Sequence, residues 1–194
     1  MGGSIGIAIL AFLASGLALA EGLPERKGAI QRRGTPLTLV GAETKVGDKA
    51  PDVELVGNDM APVKLSAFRG KVLVLSAVPS LDTPVCDRET RRFSEEATRL
   101  GEGVAIVTVS MDLPFAQARW CGAAGIQNVR TLSDHRDASF GTAYGVLIKE
   151  LRLLARAVFV VDRGGTIRYA ELVKETTHEP DYKAALAAVE KLAP

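Results

Sequence analysis

Pro79-Ser80-Leu81-Asp82-Thr83-Pro84-Val85-Cys86 joins two segments of opposite periodicity. Before it, Val72-Leu73-Val74-Leu75 is a β-branched apolar run too short for a helix, and it reads as a strand ending near Val78. After it, Pro84 to Leu100 places Phe93, Ala97 and Leu100 on one helical face. Thr83 has the side chain of an N-cap and Pro84 suits the first helical position, so Cys86 falls in the first turn. Unpaired backbone N–H groups and the positive end of the helix dipole favour a thiolate there, the form in which cysteine acts as a nucleophile. Free cysteines are often inert core residues, but packing alone requires neither a Thr cap nor a Pro ahead of it. The unit reads as strand, turn and helix with a reactive thiol at the carboxyl end of a sheet.

Outward from this unit the same textures alternate. Val104 to Val109 and Ala157 to Val161 are further apolar runs of the kind buried on both faces of a central sheet. Asp112 to Cys121 reads as a short helix and Asp181 to Leu192, rich in Ala and Leu, as a terminal one. Asp162-Arg163-Gly164-Gly165 is a turn leading into a strand over Ile167 to Val173. Periodicity admits a thioredoxin-like or a flavodoxin-like α/β order, and the closing hairpin and last helix favour the former. The expected fold is a thioredoxin-like sandwich with a central mixed β-sheet flanked by helices.

The chain has 194 residues, 47% of them hydrophobic, enough for one domain with a single core. Ile5 to Ala20 is uncharged and apolar, shorter than the roughly 20 residues of a spanning helix, and Ala18-Leu19-Ala20 before Glu21 has the small residues of a signal cleavage site. Met1-Gly2-Gly3-Ser4 lacks the Lys or Arg that export signals carry. The expected organisation is residues 1–20 as a signal peptide or N-terminal hydrophobic segment, 21–35 as a linker or mobile arm, and 36–194 as the folded domain. Export to a periplasm or medium follows if the segment is cleaved; a membrane anchor or a cytoplasmic protein is the alternative. With 24 Lys and Arg against 23 Asp and Glu, the net charge of +1 supplies no field to gather nucleic acid. His135 and His178 have no ligand partner at metal spacing, and neither Gly164-Gly165 nor Gly101-Glu102-Gly103 forms a phosphate-binding fingerprint. No metal and no cofactor are expected.

Pro79, Thr83 and Cys86 have the spacing of the peroxiredoxin signature. Asp112 to Gly122 (DLPFAQARWCG), Asn128 to Ser133 (NVRTLS), Tyr144-Gly145-Val146, Leu154 to Asp162 (LARAVFVVD), Glu171-Leu172-Val173 and Glu179-Pro180-Asp181-Tyr182 extend the likeness from about Pro36 to the end. Together they resemble the thiol peroxidase branch of the atypical two-cysteine peroxiredoxins. Trp120 and His135 stand where that branch usually has Phe, and the N-terminal apolar segment is an addition. The resemblance implies a hydroperoxide reductase in which Cys86 is the peroxidatic thiolate, Cys121 the resolving cysteine and Arg156 a cation that stabilises thiolate and leaving oxygen. Thr83 would hydrogen-bond the peroxide and the thiolate, and Pro79 would shield the site from water. It further implies thioredoxin or a similar dithiol as reductant, and a homodimer.

Cys86 and Cys121 are the only cysteines, so one intramolecular bridge exhausts them. Two other readings of that pair stay open. One is an exported domain with a permanent structural disulfide; the other is a disulfide-exchange enzyme, although Thr83 stands where such an enzyme has the first cysteine of Cys-x-x-Cys.

Overall fold

The structure, a computed structural model, describes residues 22–193. The apolar segment read as an export signal lies outside the described residues.

The strand that leads to Cys86, β5 (Val72–Ala77), lies inside a mixed seven-stranded sheet. Two parallel neighbours follow it on one side, β6 (Val104–Ser110) and then β7 (Arg130–Ser133). On the other side β10 (Ala157–Val161) runs antiparallel to β5 and forms the expected hairpin with β11 (Ile167–Leu172). Two short antiparallel strands, β3 (Glu54–Val56) and β4 (Pro62–Lys64), extend the sheet beyond β7.

Alternation along β5 divides the core. Val72 and Val74 face a layer formed by α1 (Pro84–Leu100), α2 (Pro114–Ala124) and α4 (Tyr182–Glu190), where Phe93, Trp120, Tyr182 and Leu186 are buried. Leu73, Leu75 and Ala77 face the other way, onto Phe140 of the short helix α3 (Ser139–Ala143) and onto a second, four-stranded sheet. This is the thioredoxin-like α/β sandwich expected from the alternating textures, with that smaller sheet as an added cover.

The added cover corrects the reading of residues 21–35 as a linker or mobile arm. β1 (Glu25–Arg32) pairs antiparallel with β2 (Thr35–Val40) from Glu25↔Val40 to Arg32↔Thr35, and β8 (Leu147–Ile148) with β9 (Leu153–Leu154) completes the sheet. Among the described residues the folded unit therefore reaches back to β1, ahead of Pro36. Gly28, at φ +63°, lies where the register shifts between Arg26 and Ile30, and this bulge removes the two-residue alternation by which a strand is recognised. Ile30 alone turns fully inward, at 2% exposure. Beyond it, the N–H of Gln31 donates to the carbonyl of Lys174 at 2.8 Å and the N–H of Thr176 to the carbonyl of Gln31 at 3.0 Å. The hairpin is thereby tied to the segment after β11 whose Thr176 carbonyl accepts from Arg156.

Ile30→Ala is expected to lower stability by about 2–5 kcal/mol, the usual cost of emptying a core site of that size, measured as a shift of the urea midpoint at unchanged slope. A dispensable arm would leave the midpoint where it was.

Candidate active site

Cys86 is the third residue of α1 and fully buried. Thr83 occupies the N-cap position in extended conformation (φ −99°, ψ 143°), and its carbonyl accepts from the N–H of Asp87 at 2.9 Å. Its side chain, however, makes no capping bond. The hydroxyl lies instead 2.9 Å from Cys86 Sγ and 3.0 Å from the carbonyl of Ser80. One hydroxyl hydrogen serves one of these acceptors at a time: it goes to the sulfur when Cys86 is a thiolate, and to Ser80 when the thiol donates to the hydroxyl. The cap has been diverted to the sulfur.

Arg156 reaches the same sulfur from below. It immediately precedes β10, and two-residue alternation sets it on the face of Val158 and Val160, toward the helices. It is 1% exposed. Its Nη2 lies 3.4 Å from Cys86 Sγ and donates to the carbonyl of Thr176 at 3.1 Å, while Nη1 donates to Glu89 Oε2. Glu89, one turn after Cys86 on α1 and 0% exposed, accepts a second bond from Ser76 Oγ at 2.7 Å. Burial pushes the Glu89 carboxyl up, against the pull of Arg156 and the Ser76 bond. Burial also works against the charge of Arg156, but Glu89 and Cys86 outweigh it and hold the guanidinium firmly protonated. The result is a fixed cation beside a fixed thiol, its two terminal nitrogens held by Glu89, Thr176 and the sulfur while its Nε has no hydrogen-bond partner.

The loop between β5 and α1 is held from the neighbouring strand. The N–H of Val78 donates to the carbonyl of Val109 at 2.9 Å, and the N–H of Leu81 to Asp112 Oδ2 at 2.8 Å. Asp112 Oδ2 also accepts from Ser110 Oγ at 2.7 Å. Pro79 sits at the head of this loop, half-buried. Thr83, Cys86 and Arg156 are thus brought together, with Pro79 on the loop that carries them.

Cys121 is not brought to Cys86. It lies near the end of α2, half-buried, with Sγ 3.4 Å from Thr131 Oγ1 on β7, and both cysteines are free thiols. It lines a cleft of about 580 Å³ beside Val104 and Arg130, at the starts of β6 and β7, whereas Cys86 follows the end of β5. The residue before it, Trp120, is buried and donates from Nε1 to Asp87 Oδ1 at 3.1 Å.

Sequence reasoning missed Glu89, Ser76 and Asp112. A polar residue in the helix-facing register of an apolar strand, with an acidic residue one turn after the cysteine, was the available signal for the first two. Glu89→Gln removes the buried partner of Arg156 and is expected to cost about 3–5 kcal/mol in urea unfolding; an unchanged midpoint would mean that Glu89 is neutral in the folded protein.

With this geometry in view, the chain can be set beside known proteins. The family model described as Redoxin matches residues 45–186. The thiol peroxidase of Halalkalibacterium halodurans is 56% identical over 160 residues, 82% of this chain and 96% of that protein. The thiol peroxidase of Bacillus subtilis is 57% identical over 160 residues, 82% and 95% of the two chains. Among solved structures, a peroxiredoxin-like protein from Aquifex aeolicus matches with a TM-score of 0.80 at 43% identity, covering 89% of this chain and 99% of that one. A thiol peroxidase from Chromobacterium violaceum, at 24% identity and a TM-score of 0.74, shares the fold. The chain belongs to the redoxin family, in the thiol peroxidase branch of the peroxiredoxins that its cysteine motif resembles.

Proposed function

We propose that the protein is a thiol-dependent hydroperoxide reductase acting through Cys86 and Cys121. One observation carries this reading: Cys86 Sγ is buried within 2.9 Å of the Thr83 hydroxyl and 3.4 Å of the Arg156 guanidinium, at the start of a helix. The cradle stabilises negative charge on the sulfur before substrate arrives. Cys86 thiolate attacks the nearer peroxide oxygen; the S–O bond forms, the O–O bond breaks, and the departing oxygen takes a proton to leave as water or alcohol. Charge shifts from sulfur to that oxygen, and Arg156 and Thr83 are close enough to follow it.

The product is a Cys86 sulfenic acid. Cys121 attacks it, water leaves, and a disulfide closes, which an external dithiol such as thioredoxin then reduces. Since a bridge needs Cα atoms within about 7 Å, and each sulfur has its own partners in the folded protein, closure proceeds through local opening of the first turn of α1 and of α2. A homodimer is the expected assembly. The network around Cys86 Sγ favours this reading over a permanent structural bridge, which needs no cation beside the thiol.

Fully reduced protein mixed with one equivalent of cumene hydroperoxide is expected to consume it, lose two free thiols per chain and change Trp120 fluorescence. Cys86→Ser abolishes consumption; Cys121→Ser completes one turnover and forms no bridge. Absence of consumption by the reduced wild type would leave the structural disulfide as the account. The apolar segment Ile5 to Ala20 is read as an export signal. The mature protein, expressed in its own host, is then expected to begin at Glu21, and recovery with an intact Met1 would overturn export by cleavage.

A further inference from the structure

The neighbours of the two cysteines bind each other. Asp87, next to Cys86 on α1, accepts the indole N–H of Trp120, next to Cys121 on α2, at 3.1 Å. Arg91, one turn along α1, donates from Nε to both oxygens of Asp87 at 3.0 Å, lies 5.7 Å from the Trp120 ring centre, and donates from Nη1 to the carbonyl of Ala124 at 3.2 Å, on the last residue of α2. Three side chains therefore close a polar clasp between the helices that carry the reacting sulfurs.

The clasp sets where those sulfurs point. Successive residues on an α-helix are about 100° apart around its axis. With Asp87 facing Trp120, Cys86 is turned away from α2 toward Arg156, and Cys121 is turned away from α1 toward Thr131 on β7. With the indole bond made, each sulfur lies against other partners, Cys86 Sγ against Thr83 and Arg156 and Cys121 Sγ against Thr131. Closure requires at least one helix to turn or unwind, and that movement separates Asp87 from Trp120.

We propose that the Asp87–Trp120–Arg91 clasp is the restraint that sets the rate of disulfide closure, and with it the fraction of Cys86 lost to over-oxidation. The inference rests on the peroxidase cycle proposed above. In closure the Cys121 thiolate bonds to the sulfenic sulfur of Cys86, the S–O bond breaks, and the released hydroxide takes a proton to become water. In the competing step a second hydroperoxide transfers an oxygen to the same sulfur, its O–O bond breaks, and sulfinic acid and an alcohol result. A clasp that delays the first step lengthens exposure to the second. Trp120, Asp87 and Arg91 are positioning residues in this scheme, since none touches the Cys86 sulfur.

Trp120→Phe removes the indole donor and keeps an aromatic ring; Arg91→Gln removes the guanidinium that ties Asp87 to α2. Both leave the Asp87 carboxylate beside Cys86. Reduced wild type and each variant are mixed with one equivalent of cumene hydroperoxide, and in a second series with increasing excess, quenched at intervals with a thiol-alkylating reagent, and the bridged and sulfinic forms counted by mass spectrometry. Closure is expected to accelerate about tenfold in Trp120→Phe, the order of effect of one hydrogen bond to a charged group. The hydroperoxide excess that half-converts Cys86 to sulfinic acid is expected to rise in proportion, while the rate of first attack stays as in the wild type. Closure at the wild-type rate or slower in both variants, with the wild type forming its bridge, overturns the clasp alone. A wild type that forms no bridge overturns the peroxidase cycle as well.

Discussion

Arg156 keeps its guanidinium almost entirely out of water, and moving such an ion inward costs several kcal/mol unless its charge and its N–H groups are met. Three partners meet the charge and the two terminal nitrogens, leaving only Nε without a hydrogen bond: Glu89 from α1, the carbonyl of Thr176 after β11, and the sulfur of Cys86. Each partner has its own reason to be there. Glu89 shares a face of α1 with Cys86, Ser76 supplies Glu89 with a second donor from β5, and Thr176 is held by the backbone of Gln31 on β1. The site is the point at which central strand, first helix, last hairpin and amino-terminal hairpin are tied together, so that positioning the cation and building the fold are one requirement.

The same arrangement shelters the thiol proposed above as the reacting one. A buried cysteine in apolar surroundings is held as the neutral thiol. Here the buried sulfur is met by a hydroxyl withdrawn from capping duty, by a helix start and by a pre-placed guanidinium. Because these groups are anchored by other protein groups, little reorganisation is needed when charge moves to a leaving oxygen.

Rigidity at Cys86 has a consequence for Cys121. The contacts that prepare the first sulfur for attack also hold it away from the second, which lies against Thr131 on the far side of α2. In the cycle proposed above, a site organised for the first step is thereby disorganised for the second, and local opening of the helix segments that carry the two sulfurs joins the steps.

Much of this was legible in the amino-acid order. The apolar runs of β5, β6 and β10, the Pro and Thr ahead of Cys86, and the Gly-containing turn before β11 are local signals, because burial on both faces, helix capping and tight turns each impose a requirement on neighbouring residues. They determined the α/β sandwich and the chemical centre; the longer resemblance singled out Cys121 and Arg156. The strand at 25–32 was not legible, since the bulge at Gly28 breaks its alternation against β2 and the Lys174 to Thr176 segment that anchors its far end at Gln31 lies more than a hundred residues away. Glu89, Ser76, Asp112 and the bond from Trp120 to Asp87 were equally silent, although every one of them is visible as a residue. An isolated Glu or Ser has no partner until packing selects one. By itself the sequence determined which elements form and which cysteine stands in the first turn of a helix behind a Thr and a Pro; only the tertiary structure decided which charges meet in the interior and which way the second sulfur faces, because both depend on side chains that approach across elements and not along the chain.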